Sequence, residues 1–138
     1  MRYLVRREHS RAELRAKLLP HVQEGEDLEA ELDVLLQRGW LSDERTADQL
    51  VSQRRARFGA QRIAHELRQK GIAESLISEA MPQLKESELE AAREVWLKKF
   101  GALPTNAQEK AKQVRFLQSR GFALDVVFKV MRGVEVDD

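Results

Sequence analysis

The stretch Leu67-Arg68-Gln69-Lys70-Gly71-Ile72, with Ile63 one turn before it and Leu76, Ile77, Ala80 and Met81 after it, decides the reading of this chain. Two apolar stripes at helical spacing meet at a glycine. Glycine admits a left-handed turn at low steric cost, and the large apolar residue that follows can pack back on the helix just ended. The lysine before it favours the negative end of the helix dipole. The segment reads as helix, C-cap, helix.

The signature recurs as Leu35-Leu36-Gln37-Arg38-Gly39-Trp40 and as Leu117-Gln118-Ser119-Arg120-Gly121-Phe122. Counted from Gly71 and Gly121, apolar residues fall at the same offsets: Leu76 with Val126, Ile77 with Val127, Ala80 with Val130, Met81 with Met131. Copies two and three are the same helix-turn-helix. In the first copy Glu44, Arg45, Asp48 and Gln49 hold those offsets and the apolar residues shift to Ala47, Leu50 and Val51, so its turn must be set differently. A second recurrence, Arg57-Phe58-Gly59 and Lys99-Phe100-Gly101, ends a helix ahead of a signature helix, with the glycine again expected at positive φ. Trp40, Trp96, Phe58, Phe100 and Phe122 flank these turns or lie on apolar stripes, which predicts core positions rather than base-stacking platforms.

Working outward, Ser10 and Glu13 form a capping-box pattern before Leu14, Leu18 and Leu19, and Pro20 follows. A second helix uses Leu28, Leu32, Leu35 and Leu36 and ends near Arg38. A third runs from Asp43 through Ala47, Leu50 and Val51 to Phe58. Ile63 and Leu67 mark a fourth, and Leu76 to Met81 a fifth that Pro82 should end or kink. Leu89, Ala92, Trp96 and Phe100 mark a sixth. After the loop Ala102 to Thr105, Thr105 with Gln108 reads as a further capping box opening a seventh over Ala107, Ala111, Val114 and Leu117. Val126, Val127, Val130 and Met131 mark the eighth. No strand-like alternation competes. The expected fold is all-α, three tandem three-helix repeats over 1–57, 58–84 and 85–133, with an acidic tail at 134–138; such stacks present extended binding surfaces.

Composition agrees with helices, because Ala, Leu, Glu, Lys, Arg and Gln dominate. With no cysteine, disulfides and thiolate metal sites are excluded and the cytoplasm is the expected compartment. No apolar run reaches signal-peptide or membrane-span length, so no membrane association is expected. The formal net charge of +1 argues against a uniformly basic surface. It conceals alternating blocks: Met1 to Pro20 basic, His21 to Gln53 acidic, Arg54 to Ile72 basic, Ala73 to Glu94 acidic, Val95 to Gly133 basic.

For catalysis the chain offers poor material. His9, His21 and His65 are scattered without a paired-ligand spacing, no glycine-rich phosphate loop is present, and no cofactor is expected. The acidic run Glu24 to Asp33 alternates with Leu28 and Leu32 as a solvated helix face does. The strongest candidates for partner or nucleic-acid contact are Arg54, Arg55, Arg57, Arg62, Arg68 and Lys70, with Arg62, Glu66 and Lys70 on one helix face. Lys98, Lys99, Lys110, Lys112 and Arg115 form a second basic region.

Four segments in order resemble the RecX family of bacterial regulators of the RecA recombinase: Arg7 to Leu18, Gly39 to Arg45, Phe58 to Ile63 running on to Glu66 to Ile72, and Lys112 to Phe122. The resemblance spans Leu4 to Arg132. The family pattern places a bulky apolar residue where Thr46 stands, which would loosen packing around the third helix, and many relatives have a longer leader. The resemblance implies a curved, elongated body lodged in the helical groove of the RecA filament on single-stranded DNA. There it would inhibit recombinase, ATPase and co-protease activities and so damp recombination, DNA repair and the SOS response, with single-stranded DNA touched within the filament. A monomer is expected. The alternative is a stand-alone DNA-binding helical module, whose binding would be tight and strongly salt-dependent without RecA.

Overall fold

A computed structural model of the chain describes residues 8–136. Among them are seven α-helices and one 3₁₀ turn, and no strand: α1 Arg11–Leu18, the turn Leu19–His21, α2 Leu28–Gln37, α3 Asp43–Arg54, α4 Ala60–Gln69, α5 Glu74–Lys99, α6 Ala107–Ser119 and α7 Leu124–Val136. The expected all-α repeat is present. Tyr3, Leu4, Val5 and the basic Arg2, Arg6 and Arg7 lie outside the described residues, as do Asp137 and Asp138; the backbone of 134–136 continues α7.

Three apolar clusters divide the molecule. Leu14, Leu28, Leu32 and Leu41 join α1 to α2. Ala47, Leu50 and Val51 of α3 pack with Ile63, Ala64 and Leu67 of α4 and with Ile77 and Leu84 of α5. Ala91, Ala92 and Trp96 of α5 pack with Leu117 of α6, Phe122, and Val127 and Val130 of α7. The long α5 thus belongs to two clusters, Leu84 to one and Ala91 to the next.

That continuity departs from the two helices expected on either side of Pro82, which lies inside α5. A proline in a helix interior removes one hydrogen bond and costs about 3 kcal/mol. Here Pro82 sits on the exposed face, strong helix formers follow it, and both flanking halves bury apolar residues, so packing on two cores outweighs the lost bond. At α3 the helix stops at Arg54 rather than running to Phe58, whose N–H closes a turn on the Arg54 carbonyl 3.0 Å away. In place of the expected Thr105–Gln108 box, the cap of α6 lies one residue later, on Asn106, whose side chain accepts from the Glu109 N–H at 2.8 Å. Glu109 in turn accepts from the Thr105 N–H, and that bond holds its carboxyl below the usual carboxylate range.

All three signature glycines cap helices in the left-handed region, with φ of 75° at Gly39, 79° at Gly71 and 88° at Gly121. In each, the N–H three residues beyond the helix bonds the signature leucine carbonyl: Trp40 to Leu35 at 3.0 Å, Ile72 to Leu67 at 3.1 Å, Phe122 to Leu117 at 3.2 Å. The first turn is therefore set like the others. What differs comes one residue later, because α3 is capped by Ser42, three residues past Gly39, whereas α5 is capped by Ala73, two past Gly71. The extra residue moves the packing role to Leu41, 1% exposed, and leaves Trp40 48% exposed. Trp40 is thus not the core residue expected. Phe122 and Trp96 are buried, and Phe58 and Phe100 pack at core edges. Thr46 leaves no looseness, being 3% exposed with its hydroxyl donating to the Ser42 carbonyl at 2.9 Å.

Gly59 does not take the expected positive φ. At φ −80° it is the N-cap of α4, and its requirement is space: an added Cβ would lie 2.2 Å from the Gly121 carbonyl oxygen. Its N–H donates to the Arg120 carbonyl at 2.8 Å. Neither Gly59 nor Ala123 offers a capping side chain, and Glu88 of α5 supplies both starts. Its Oε1 accepts from the Ala60 N–H of α4 at 3.4 Å and from the Ala123 N–H before α7 at 3.3 Å. Glu88 is 5% exposed.

Gly59→Ala is expected to destabilise the chain by more than about 2 kcal/mol despite an ordinary φ, because backbone must shift to admit the methyl. Gly39→Ala, strained in φ but facing open space, should cost about 1 kcal/mol. Glu88→Leu should cost about 2–5 kcal/mol by leaving two buried N–H groups unpaired, and Glu88→Gln less, since one acceptor remains. Urea denaturation midpoints measure all four.

Candidate partner-binding surface

α4 is the middle helix of the array, and both its ends are held by neighbours. At its C-terminal end the Lys70 carbonyl accepts from the Ser10 hydroxyl, Lys70 Nζ meets Glu13 Oε2 at 2.7 Å, and a Cβ on Gly71 would lie 2.5 Å from the Ala12 Cβ. At its N-terminal end the Arg120 carbonyl accepts from Gly59, Arg62 donates to the Ser119 carbonyl at 3.3 Å, and a Cβ on Gly121 would lie 2.3 Å from that of Arg62. The plan repeats: the residue before a signature glycine offers its carbonyl to the N-cap residue of an earlier helix. Two of the three glycines are therefore joints as well as caps. Gly39, with nothing near it, is a cap alone.

Between the joints the exposed face of α4 floors an open groove of about 780 Å³, walled by Glu13 of α1, Arg54 of α3 and Gln118 and Ser119 of α6. Arg54, Arg62 and Lys70 of the expected set line it. Arg54 and Arg62 converge on Glu66, Nε to carboxylate 3.1 and 3.6 Å, so the expected Arg62 to Glu66 pair forms and takes up part of the positive charge. Arg68 lies off the groove in a two-pronged pair with Glu74, whose carboxyl it holds below the usual range. Arg55 and Arg57, both exposed, form no ion pair among the described residues.

Arg57 instead borders a second concavity of about 420 Å³, with Lys98 and Lys99 at the end of α5 and Arg120 after α6. Two basic regions forty residues apart in sequence meet here, though Lys110 does not join them: it lies 5.9 Å from the Phe128 ring, on another side. A chain of ring contacts links concavity to groove. Lys99 Nζ lies 5.3 Å from the Phe116 centroid and Arg120 5.2 Å from it; Arg120 also lies 5.3 Å from the Phe58 centroid and Arg62 4.2 Å. Each such contact attracts a cation by about 0.5–1 kcal/mol at an exposed site and holds it in place.

Sequence reasoning missed Arg120 as a surface cation and Glu88 as the clamp that aligns the elements carrying these cations. Glu88 had a signal, a lone acid one turn after Leu84 and one before Ala92 on an apolar face. The acidic face of α2 is also more than solvated: Glu29 and Asp33 hold Arg11 at 2.9 and 2.6 Å, and Glu29 holds Arg15 at 2.6 Å. Those bonds, Arg11 first, keep the Glu29 carboxyl below its usual range.

Two family models match the chain, RecX second three-helix domain over residues 42–81 and RecX third three-helix domain over 86–131. A regulatory protein RecX of Leptothrix cholodnii is 48% identical over 132 residues, covering 96% of this chain and 84% of the relative. A crystal structure of a regulatory protein RecX superposes with a TM-score of 0.79 at 26% identity, over 93% of this chain and 67% of that one. A RecX structure from Lactobacillus salivarius, 17% identical, shares the fold with a TM-score of 0.75 over 98% and 91% of the two chains. With the second and third three-helix domains matched over 42–81 and 86–131, and nearly half the residues identical to a relative over 96% of this chain, this chain belongs to the RecX family of regulatory proteins.

Proposed function

We propose that this chain binds the filament formed by the RecA recombinase on single-stranded DNA, seats itself in the filament's helical groove, and inhibits recombinase, ATPase and co-protease activity. It acts as a regulator and carries out no reaction of its own. The observation that carries the reading is family membership across 96% of the chain. The surface supports it physically. A filament groove offers a repeating ligand, and a tandem helical array that sets cations from α3, α4, α5 and α6 along one connected surface suits such a ligand better than it suits a small molecule. The effect on the cell is damped recombination, DNA repair and SOS response.

In a titration against RecA and single-stranded DNA, the purified chain should slow DNA-dependent ATP hydrolysis at or below equimolar amounts; hydrolysis unchanged over a wide range refutes the reading. Changing Arg54, Arg55, Arg57 and Arg62 together to Gln should weaken inhibition at least about tenfold, equivalent to a few charge-assisted contacts. Helicity by circular dichroism should stay, since none of the four is buried. Gln is preferred to Glu because Arg54 and Arg62 share Glu66, where further carboxylates would repel.

A further inference from the structure

The two joints share a plan and differ in charge. At the first, the third residue of α1 is Glu13, and it pairs with Lys70, the residue before the signature glycine. At the second, the third residue of α4 is Arg62, and the residue before the glycine is Arg120. Where the first joint has an ion pair, the second sets two guanidinium groups 4.2 and 5.3 Å from the centroid of one Phe58 ring. Like charges around one ring repel, whereas the first joint's opposite charges attract.

Carboxylates among the described residues do not resolve the conflict. Glu66 meets Arg62 at 3.6 Å, long for a charge-assisted bond, and spends its shorter contact, 3.1 Å, on Arg54. Arg120, Arg57, Lys98 and Lys99 form no ion pair among the described residues, although Glu94 borders the same concavity. Five cations from four places in the chain are thus brought together by Glu88 and the two glycines, and four of them have no ion pair among the described residues. An anion between Arg62 and Arg120, with further anions at Lys99, Lys98 and Arg57, would balance their charge.

We infer that the second joint is a binding site for the phosphodiester backbone of a single nucleic-acid strand, which passes between Arg62 and Arg120 and on across Lys98, Lys99 and Arg57. Lysine and arginine together along an exposed concavity fit phosphate contacts, whereas protein interfaces are depleted in lysine. Phe58 and Phe116 are capped by cations, so they hold the charges and do not stack on bases; the contact is independent of sequence. Three of the cations, Lys99, Arg120 and Arg62, succeed one another over two rings, which suits one strand rather than the two phosphate rows of a duplex. The site goes beyond the filament reading, because it needs no recombinase.

The test is fluorescence anisotropy of labelled oligothymidylate and oligoadenylate with the whole chain, without RecA, over a range of salt concentrations. Both strands should bind alike, with log affinity falling linearly against log salt. Lys98→Gln with Lys99→Gln should lower affinity about tenfold at low salt and reduce the salt slope by about 1–2. Arg62→Gln should lower affinity as well and reduce the salt slope by about 1, a change in slope that a residue serving the fold alone would not produce. Both lysines are exposed and make no hydrogen bond or ion pair across the joint among the described residues, so their result stands even if an Arg120 variant unfolds. Oligonucleotide binding that is absent, or unchanged in slope and strength in these variants, overturns the inference. Were the lysine variant to lose only RecA inhibition while the unaltered chain ignored both strands, the surface would meet an acidic protein face: the inference fails and the filament reading stands. Strand binding with ATP hydrolysis untouched gives the reverse.

Discussion

One carboxylate governs the alignment of the array. Two helices, α4 and α7, begin side by side at residues that carry no capping side chain, Gly59 and Ala123, and the Glu88 carboxylate from α5 accepts an N–H from each start. A helix start leaves several N–H groups without partners, and a carboxyl oxygen placed between two starts accepts from one N–H of each. Because the acceptor stands on a third helix, the bond pair fixes α4, α5 and α7 relative to one another. The approach it permits is close enough that only glycine fits at 59 and 121.

From that clamp the surface follows. α4 is held at one end by the Gly59 to Arg120 bond and at the other by Lys70 against Ser10 and Glu13. Its outer face becomes the floor of a groove, and the end of α6 brings Arg120 beside Phe58 and Arg62. Aromatic rings at the core edge then serve twice, burying one side in the apolar clusters and presenting the other to a cation. Lys99 and Arg120 are thereby positioned by rings rather than by acids, which leaves their charge available to a partner.

The repeats have diverged at their contacts more than in their turns. All three signature turns keep the left-handed glycine and the bond to the leucine carbonyl. The first gains one residue before its next helix, exchanging Trp40 for Leu41 in the core. The joints exchange a glutamate for an arginine at equivalent places. A cap is a local backbone requirement and tolerates little change, whereas a joint is a pairing of surfaces that can be rebalanced by packing or charge.

How much of this was legible in the chain follows from the range of each interaction. Helices, their glycine stops and most of the core are written locally: a period of 3.6 residues, a glycine where φ is positive, a leucine beneath it. Local rules misjudged Pro82, because two separate cores hold α5 straight through it, and Gly59, because its neighbour Gly121 is sixty-two residues away. The basic block from Arg54 to Lys70 could be named from sequence, but its division could not, since Glu66 serves Arg54 and Arg62, Glu74 serves Arg68, Glu13 serves Lys70, and Arg57 joins Lys98, Lys99 and Arg120. The sequence by itself determined that the chain is an all-helical repeat with basic blocks. Only the tertiary structure decided which of those charges are cancelled and which face outward together, because charge balance depends on partners that folding, rather than chain order, brings within a few ångströms.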